Sequence, residues 1–292
     1  MPQAKAKANG IEIEYVTEGD PSDPALLLVM GLGAQLTTWP DGFVDGLRQR
    51  GFFVIRYDNR DSGLSTKFEG LPDIAALFTG TDLSSAVYRI EDMAVDGAAL
   101  LNVLGVDEAH VVGASMGGMI TQALVINHPE LFHSACSIMS TTGDRAVGAP
   151  TGEALTALLR PVATNRDEAI QASVEGSLVI GSPGYPTDER ILRERAAAAY
   201  DRSYCPEGTV RQLGAILGSP DRTPGLRGLD MPFLVVHGEA DPLVTPSGGD
   251  ATAAAVPGSK LLTFPGMGHD LPEALWGTIT DAIVANTELA AV

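Results

Sequence analysis

The stretch Gly113-Ala114-Ser115-Met116-Gly117 decides how this chain is expected to fold. It follows the apolar run His110-Val111-Val112 and precedes residues that suit a helix, so it predicts a strand that enters a helix through a tight turn. Glycines stand two residues on either side of Ser115, where larger side chains would collide as the backbone reverses. Such a strained turn exposes the serine hydroxyl at the head of the helix. Because a free serine is a weak nucleophile at neutral pH, the chain must also supply a base and an acid.

Composition limits the classes of protein to which this chain can belong. Its 292 residues, 45% hydrophobic and 19% charged, suffice for a large α/β domain with an insertion. The net charge of −18 disfavours nucleic acids and anionic membranes as partners. Cys136 and Cys205 form no metal-binding or disulfide pattern, so neither a metal nor a cofactor is expected. Residues 1–10 lack the apolar segment of a secretory signal, and polar residues and glycines interrupt the apolar stretch 109–129; we therefore expect a cytoplasmic protein without membrane insertion.

Short apolar runs alternate with helical segments, which is typical of a mostly parallel sheet with helices on both faces. Strands are predicted at residues 11–17, 25–30, 52–57, 132–139, 232–237 and 260–264, in addition to the strand before Ser115. Amphipathic spacing predicts a helix over 90–104, and a last helix is expected from about 271 to 286. Residues 143–228 contain helical segments separated by proline and glycine turns, and predict an inserted helical cap. The core domain would then comprise residues 1–142 and 229–292.

The base should be a histidine on a loop that follows a strand. His269 meets this condition, since it lies in the glycine-rich loop after the strand at 260–264 and just before a helix. The other four histidines lie in strands, at strand ends or at a helix end, where a histidine usually satisfies a local hydrogen bond: His110, His128, His133 and His237. The sequence therefore predicts His269 as the base.

The acid should lie between the serine and the histidine in the chain. Asp241 follows the apolar strand at 232–237, and Pro242 ends that strand and holds the carboxylate in a turn. Glu239 is the main rival, and Asp250 and Asp270 are further alternatives. The order Ser115, Asp241, His269 is that of the α/β-hydrolases. It differs from the order of the same three residue types in two unrelated classes of serine hydrolase.

Acyl transfer also needs hydrogen-bond donors for the negative oxygen of the tetrahedral intermediate. The backbone N–H of Met116 is one candidate, because it directly follows the nucleophile at the start of a helix. A second donor should come from the flexible loop 30–34, which follows the strand at 25–30. A dinucleotide-binding interpretation of Gly31 and Gly33 fails, since the third glycine of that pattern is missing.

The chain resembles the α/β-hydrolases of the cap-bearing, esterase and lipase-like superfamily. The resemblance rests on the loop 30–34, the serine turn 113–118, the Asp241 turn and the pair Gly268-His269. It implies an α/β-hydrolase fold, a Ser-Asp-His triad and the N–H of Leu32 as the second oxyanion donor.

Two positions depart from the pattern of that superfamily. Met30 stands where relatives usually place a histidine, and Asp61 replaces the first glycine of the segment Asp-x-Arg-Gly-x-Gly-x-Ser at residues 58–65. The chain is further similar to bacterial proteins grouped with aclacinomycin methylesterase, through Val29-Met30-Gly31, Trp39-Pro40 and residues 57–63.

A serine at the tight turn favours hydrolysis of a small-molecule carboxylic ester through an acyl-enzyme, since related epoxide hydrolases and dehalogenases usually place aspartate there. Carbon–carbon bond hydrolases, thioesterases and perhydrolases share the triad and stay open as alternatives, as does a receptor that keeps the triad without turnover. A homo-oligomer is compatible with the sequence. Trp39 is a candidate substrate contact, but Leu32, Trp39 and Met116 suit a core equally well.

Overall fold

A single eight-stranded sheet organises the part of the chain, residues 4–291, that the computed structural model describes. The strands are β1 (Ala4–Ala8), β2 (Ile11–Glu18), β3 (Ala25–Val29), β4 (Phe53–Tyr57), β5 (Ala109–Ala114), β6 (Phe132–Ile138), β7 (Phe233–Gly238) and β8 (Lys260–Phe264). Their order is β1-β2-β4-β3-β5-β6-β7-β8. The pairs β1–β2 and β2–β4 are antiparallel and the other pairs are parallel, which confirms the mostly parallel sheet.

Helices connect the strands. They are α1 (Asp41–Arg48), α2 (Ile74–Thr79), α3 (Ile90–Val103), α4 (Met116–Asn127), α5 (Gly152–Leu158), α6 (Arg166–Ile180), α7 (Glu189–Arg202), α8 (Pro206–Gly218), α9 (Thr223–Leu226), α10 (Ser247–Ala255) and α11 (Trp276–Glu288). Within residues 4–291, none of them is long and apolar enough to cross a membrane.

Helices α5 to α9 all lie between β6 and β7, and we call this segment the helical insertion. Its helices lie within residues 143–228, the range of the predicted cap. The division of the chain into a core domain and a cap at those residues stays a prediction. The predicted core domain includes residues 1–3 and 292, and the expectation of no secretory signal involves residues 1–3. These residues lie outside the described part of the chain.

Two apolar layers enclose the sheet, because successive residues of an interior strand point to opposite faces. In β3, Leu27 belongs to the layer that contains Leu100 of α3. Its neighbour Leu28 belongs to the layer that contains Phe43 of α1 and Ile279 of α11. Each leucine buried in this way contributes about 1.5–3 kcal/mol to stability. Burial on both faces explains why the strand is apolar at every position.

The edge strand β1 was not predicted from the sequence. It pairs with β2 through the turn Asn9-Gly10, in which both residues have positive φ, 48° and 74°. An Asn-Gly pair with this geometry is a strong signal for a two-residue hairpin. Alanine and lysine, which alternate in β1, both have low strand propensity, so the local sequence does not indicate a strand there. Its exposed Lys5 and Lys7 protect the edge of the sheet from further pairing.

Candidate active site

Ser115 lies in the tight turn between β5 and α4 with φ 57° and ψ −121°, a conformation that is strained for a residue with a side chain. The neighbouring glycines are required by close packing. A Cβ atom on Gly117 would lie 2.0 Å from the carbonyl oxygen of Val29, and one on Gly113 would lie 2.0 Å from that of Gly117. The sequence therefore folds into this turn only with glycine at both positions.

The structure brings Ser115, His269 and Asp241 together. The Ser115 Oγ lies 2.9 Å from Nε2 of His269, and Nδ1 of the same ring lies 2.7 Å from Oδ2 of Asp241. Since a carboxylate accepts, Nδ1 carries the proton, and Nε2 is free to accept a proton from the hydroxyl. The other carboxylate oxygen, Oδ1, accepts the N–H groups of Leu243 and Val244, both at 2.9 Å. These bonds hold the carboxylate toward the imidazole.

The three rival carboxylates point elsewhere. Glu239 accepts a hydrogen bond from the Thr263 hydroxyl, and Asp250 is exposed in the first turn of α10. Asp270 accepts a hydrogen bond from the Ser182 hydroxyl, and burial raises the pKa of this carboxyl. Among the four carboxylates considered from the sequence, Asp241 is the one that bonds to the imidazole of His269.

The remaining histidines have local partners, and His128 lies with its Nδ1 3.9 Å from the carboxylate of Glu130. His110 contacts the Ser134 hydroxyl at 2.8 Å, and burial lowers its pKa to about 4. His133 contacts the carboxylate of Glu108 at 2.9 Å on the surface. His237 donates from Nε2 to the Val244 carbonyl at 2.8 Å, and burial lowers its pKa. Because the N–H of Val244 donates to the carboxylate of Asp241, His237 supports the turn that carries the candidate acid.

Two backbone N–H groups near the serine are available as donors. Among the described residues, the N–H groups of Leu32 and Met116 have no hydrogen-bond acceptor. The Leu32 loop lies directly over the serine, because a Cβ atom on Gly31 would be 3.1 Å from the Ser115 Cβ and 3.5 Å from its Oγ. Met116 is the first residue of α4, where the helix dipole favours negative charge. Free donors of this kind, fixed in place beside the nucleophile, are what an oxyanion hole requires.

The Leu32 loop is held although Met30 stands where the superfamily pattern led us to expect a histidine. The side chain of Met30 is buried in the core, and its carbonyl accepts a 2.8 Å hydrogen bond from the side chain of Asn59. The buried carboxylate of Asp58 accepts the N–H groups of Leu36 and Leu64 at 2.7 and 2.8 Å. Asp58 and Asn59, which begin the segment 58–65, thus fix the base of the loop.

The helical insertion also contacts this loop. The N–H of Gly33 donates to Oε1 of Gln212 in α8 at 2.7 Å. Arg202, at the end of α7, donates to Oε1 of Gln35 at 2.6 Å and pairs with Asp58 at 2.9 Å. Sequence reasoning missed these residues, since a polar side chain in a helix usually faces solvent.

The insertion holds the histidine loop as well. The N–H of His269 donates to the Ile180 carbonyl at 2.7 Å, and the N–H of Gly268 donates to the Ser182 hydroxyl at 2.8 Å. The position of the imidazole therefore depends on the last residue of α6 and on Ser182, which follows that helix.

Asp61, the second departure from the superfamily pattern, anchors α8. Its carboxylate forms two 2.9 Å hydrogen bonds with the guanidinium of Arg211, and it accepts the Tyr88 hydroxyl at 2.6 Å and the Phe68 N–H at 2.8 Å. Its φ of 69° lies in the left-handed region, which aspartate tolerates better than most residues other than glycine. Aspartate in place of glycine at position 61 thus gives up the conformational freedom of glycine and gains a buried ion pair with Arg211.

Trp39 lies in the core, where its side chain is 1% exposed and its ring stacks on that of Phe43 with centroids 5.5 Å apart. This position favours a packing role over contact with substrate. Leu32, by contrast, is partly exposed.

The three candidate catalytic residues follow β5, β7 and β8, whose carboxyl ends meet at one edge of the parallel sheet. A nucleophile, an acid and a histidine in this order at this edge define an α/β-hydrolase architecture. Residues 24–175 match the family described as alpha/beta hydrolase fold, and residues 197–279 match the family described as TAP-like protein. The chain belongs to the α/β-hydrolase family.

Individual relatives agree with this assignment. The chain is 29% identical to the rhodomycin D methylesterase DauP of Streptomyces sp. (strain C5), with 94% of each chain covered. It is 27% identical to 3-oxoadipate enol-lactonase 2 of Acinetobacter baylyi, over 83% of this chain and 80% of the relative. The crystal structure of the enol-lactonase from Burkholderia xenovorans LB400 superposes with a TM-score of 0.75 at 23% identity, covering 98% of this chain and 100% of that one. That structural likeness confirms the fold.

Proposed function

We propose that this chain is a serine hydrolase that cleaves small carboxylic esters through an acyl-enzyme on Ser115. The observation that carries the proposal is the unbroken series of hydrogen bonds from the serine hydroxyl through His269 to Asp241, at 2.9 and 2.7 Å. The activities of the relatives support it, because a methylesterase and a lactonase both hydrolyse ester bonds.

Acylation follows from the direction of these bonds. The Ser115 Oγ attacks the ester carbonyl carbon while its proton passes to Nε2 of His269. Asp241 stabilises the imidazolium through its bond to Nδ1–H. The carbonyl electron pair moves onto the oxygen, and the N–H groups of Leu32 and Met116 donate to it. The intermediate then collapses, the bond to the alcohol oxygen breaks, and Nε2–H protonates the leaving alcohol.

Deacylation repeats the sequence with water. Nε2 of His269 removes a proton from water as the water oxygen attacks the acyl carbon. The second tetrahedral intermediate expels the Ser115 oxygen, which recovers its proton from Nε2–H, and the carboxylic acid leaves. A preorganised donor in an oxyanion hole typically contributes about 3–4 kcal/mol to transition-state stabilisation, so Leu32 and Met116 are central to both steps.

Methyl esters are the substrate class to test first, because the relative DauP is a methylesterase. In this proposal, α5 to α9 form the cap that covers the ester, since the segment after α6 reaches the histidine loop and α8 reaches the Leu32 loop. Selection among esters then depends on the insertion.

The experiment compares wild type, Ser115→Ala and the matched control Ser134→Ala, whose hydroxyl contacts His110 at the opposite end of the sheet. Turnover of p-nitrophenyl acetate and of rhodomycin D is measured, together with the mass of the active-site peptide after treatment with a fluorophosphonate. Wild type and Ser134→Ala should turn over an ester and become labelled on Ser115. Ser115→Ala should lose about ten-thousand-fold or more in kcat and remain unlabelled.

Either of two results would overturn this assignment: ester turnover that persists in Ser115→Ala, or a wild-type protein that neither hydrolyses esters nor reacts with the probe. Cleavage of a vinylogous diketone without ester turnover would instead assign a carbon–carbon bond hydrolase.

A further inference from the structure

The side chain of Gln212 is completely buried between α8 and the core, and its amide is fully engaged. Oε1 accepts the Gly33 N–H at 2.7 Å, while Nε2 donates to the Arg60 carbonyl at 2.7 Å and to the Ser62 hydroxyl at 3.0 Å. The Gly33 N–H can only donate and the Arg60 carbonyl can only accept, so these partners fix the orientation of the amide.

Gly33 belongs to the turn that carries Leu32. The N–H of Ala34 donates to the Gly31 carbonyl at 3.2 Å, and Gly33 has a φ of 66°, as the third residue of a type II turn requires. The Gly31 carbonyl shares its peptide unit with the Leu32 N–H, and the Gly33 N–H shares its peptide unit with the Leu32 carbonyl. Both peptide planes beside Leu32 are therefore held, the first by the turn and the second by Gln212.

Helix α8 is a firm support for this contact. The buried pair of Arg211 and Asp61 attaches the adjoining residue of α8 to the core. The helix also packs directly on the turn, because a Cβ atom on Gly33 would lie 2.9 Å from the hydroxyl oxygen of Thr209. The Gln212 amide thus contacts the turn from a helix that the Arg211–Asp61 ion pair holds against the core.

We infer that Gln212 is a positioning residue for the oxyanion hole, which directs the Leu32 N–H through its hydrogen bond to Gly33. The inference rests on the proposed ester hydrolysis and deepens it, since it makes the helical insertion part of the catalytic geometry. Gln212 touches no reacting atom. Its effect should appear in the transition state, where the oxyanion forms, rather than in binding of the ester.

The test is Gln212→Met, which keeps the length and apolar volume of the side chain but removes its acceptor and donors. The matched control is Ser219→Ala, which removes another hydrogen bond between the insertion and the core, from the Ile90 N–H to the Ser219 hydroxyl at 2.8 Å. For each protein, kcat and KM are measured with p-nitrophenyl acetate, together with the inhibition constant of a trifluoromethyl ketone that forms a tetrahedral oxyanion on the serine.

Gln212→Met should lower kcat by about 10- to 100-fold and leave KM within about threefold of wild type. The inhibition constant of the ketone should rise by the same factor as kcat falls. Ser219→Ala should leave all three quantities within about twofold of wild type, because α3 carries no candidate catalytic group.

A folded Gln212→Met with kcat within about threefold of wild type overturns the inference, and so does a higher KM with kcat unchanged. Where Gln212→Met does not fold, Gln212→Asn replaces it. This variant keeps a neutral amide but is one methylene short of Gly33, so the same fall in kcat is expected and a wild-type kcat refutes the inference. Absence of ester turnover in wild type would instead mean that the proposed function has failed.

Discussion

Replacing Arg211 by methionine should destabilise the protein strongly, because the substitution leaves the carboxylate of Asp61 buried without its cation. Asp61 and Arg211 are each 2% exposed and share two hydrogen bonds of 2.9 Å. After the substitution, Asp61 retains two neutral donors, the Tyr88 hydroxyl and the Phe68 N–H. The carboxylate then has no guanidinium to offset its removal from water.

Breaking a buried pair on one side costs about 3–5 kcal/mol. This is a large part of the total stability of a typical domain, about 5–15 kcal/mol. With a slope near 3 kcal/mol per molar urea, the unfolding midpoint of Arg211→Met should fall by about 1–1.7 M. Asp61→Gly should cost a similar amount, since it leaves the guanidinium without its carboxylate.

The assay is urea unfolding followed by tryptophan fluorescence, to which the buried Trp39 and the partly exposed Trp276 both contribute. It is applied to wild type, both single variants and the double variant. The double variant removes both charges and places at position 61 a glycine, which readily adopts a φ of 69°. The double variant should therefore lose less stability than the two single variants together, with a coupling free energy of at least about 2 kcal/mol, while the Tyr88 hydroxyl and the Phe68 N–H still lack their acceptor. A coupling below about 0.5 kcal/mol would show that the pair does not act as a unit and would refute this reasoning.

Two further outcomes are expected. Asp241→Asn should lower kcat for p-nitrophenyl acetate by about ten-thousand-fold, since an amide can donate to Nδ1 of His269 and favour the wrong tautomer; a loss below tenfold, with the melting temperature unchanged, would contradict the role of the acid. The second concerns pH. The pKa of His110 is about 4 in the folded protein and about 6.5 in the unfolded chain, so the unfolded chain takes up the proton first. The free energy of unfolding should consequently fall as the pH drops from about 6.5 toward 4, and His110→Asn should remove about 2 kcal/mol of that fall between about pH 7 and pH 4.5. Urea unfolding of both proteins at the two pH values measures this difference, and equal falls would rule it out.

Interior strands were predictable because burial on both faces leaves an uninterrupted apolar run, as in β3, where the predicted 25–30 compares with the observed Ala25–Val29. Helix α10 was harder to find. Two glycines in its first turn count against a helix by propensity, yet a Cβ atom on Gly249 would lie 2.5 Å from Nδ1 of His237. Close packing on the neighbouring strand, which local sequence does not report, requires the glycine there.

The candidate site likewise contains residues that the sequence predicts and residues that it does not. Ser115, Asp241 and His269 were predictable, because each follows a strand and local turn residues mark its position. Gln212 and Arg211 were not, since their partners Gly33 and Asp61 lie 179 and 150 residues away in the chain. Those contacts depend on the position at which α8 packs on the core. The hydrophobic periodicity of α8 does not determine that position.

The hydrogen bonds from His269 to Ile180 and from Gly33 to Gln212 limit how this protein can be recombined with its relatives. A chimera that joins this sheet to the helical insertion of another α/β-hydrolase would retain the serine, the acid and the histidine. It would keep two of the loops around them in place only where the new insertion presents acceptors to the N–H groups of Gly33 and His269. Exchange of the insertion to obtain a new substrate range would consequently alter turnover as well. Turnover would be preserved only if the new insertion placed a glutamine amide and a backbone carbonyl at the positions of those of Gln212 and Ile180.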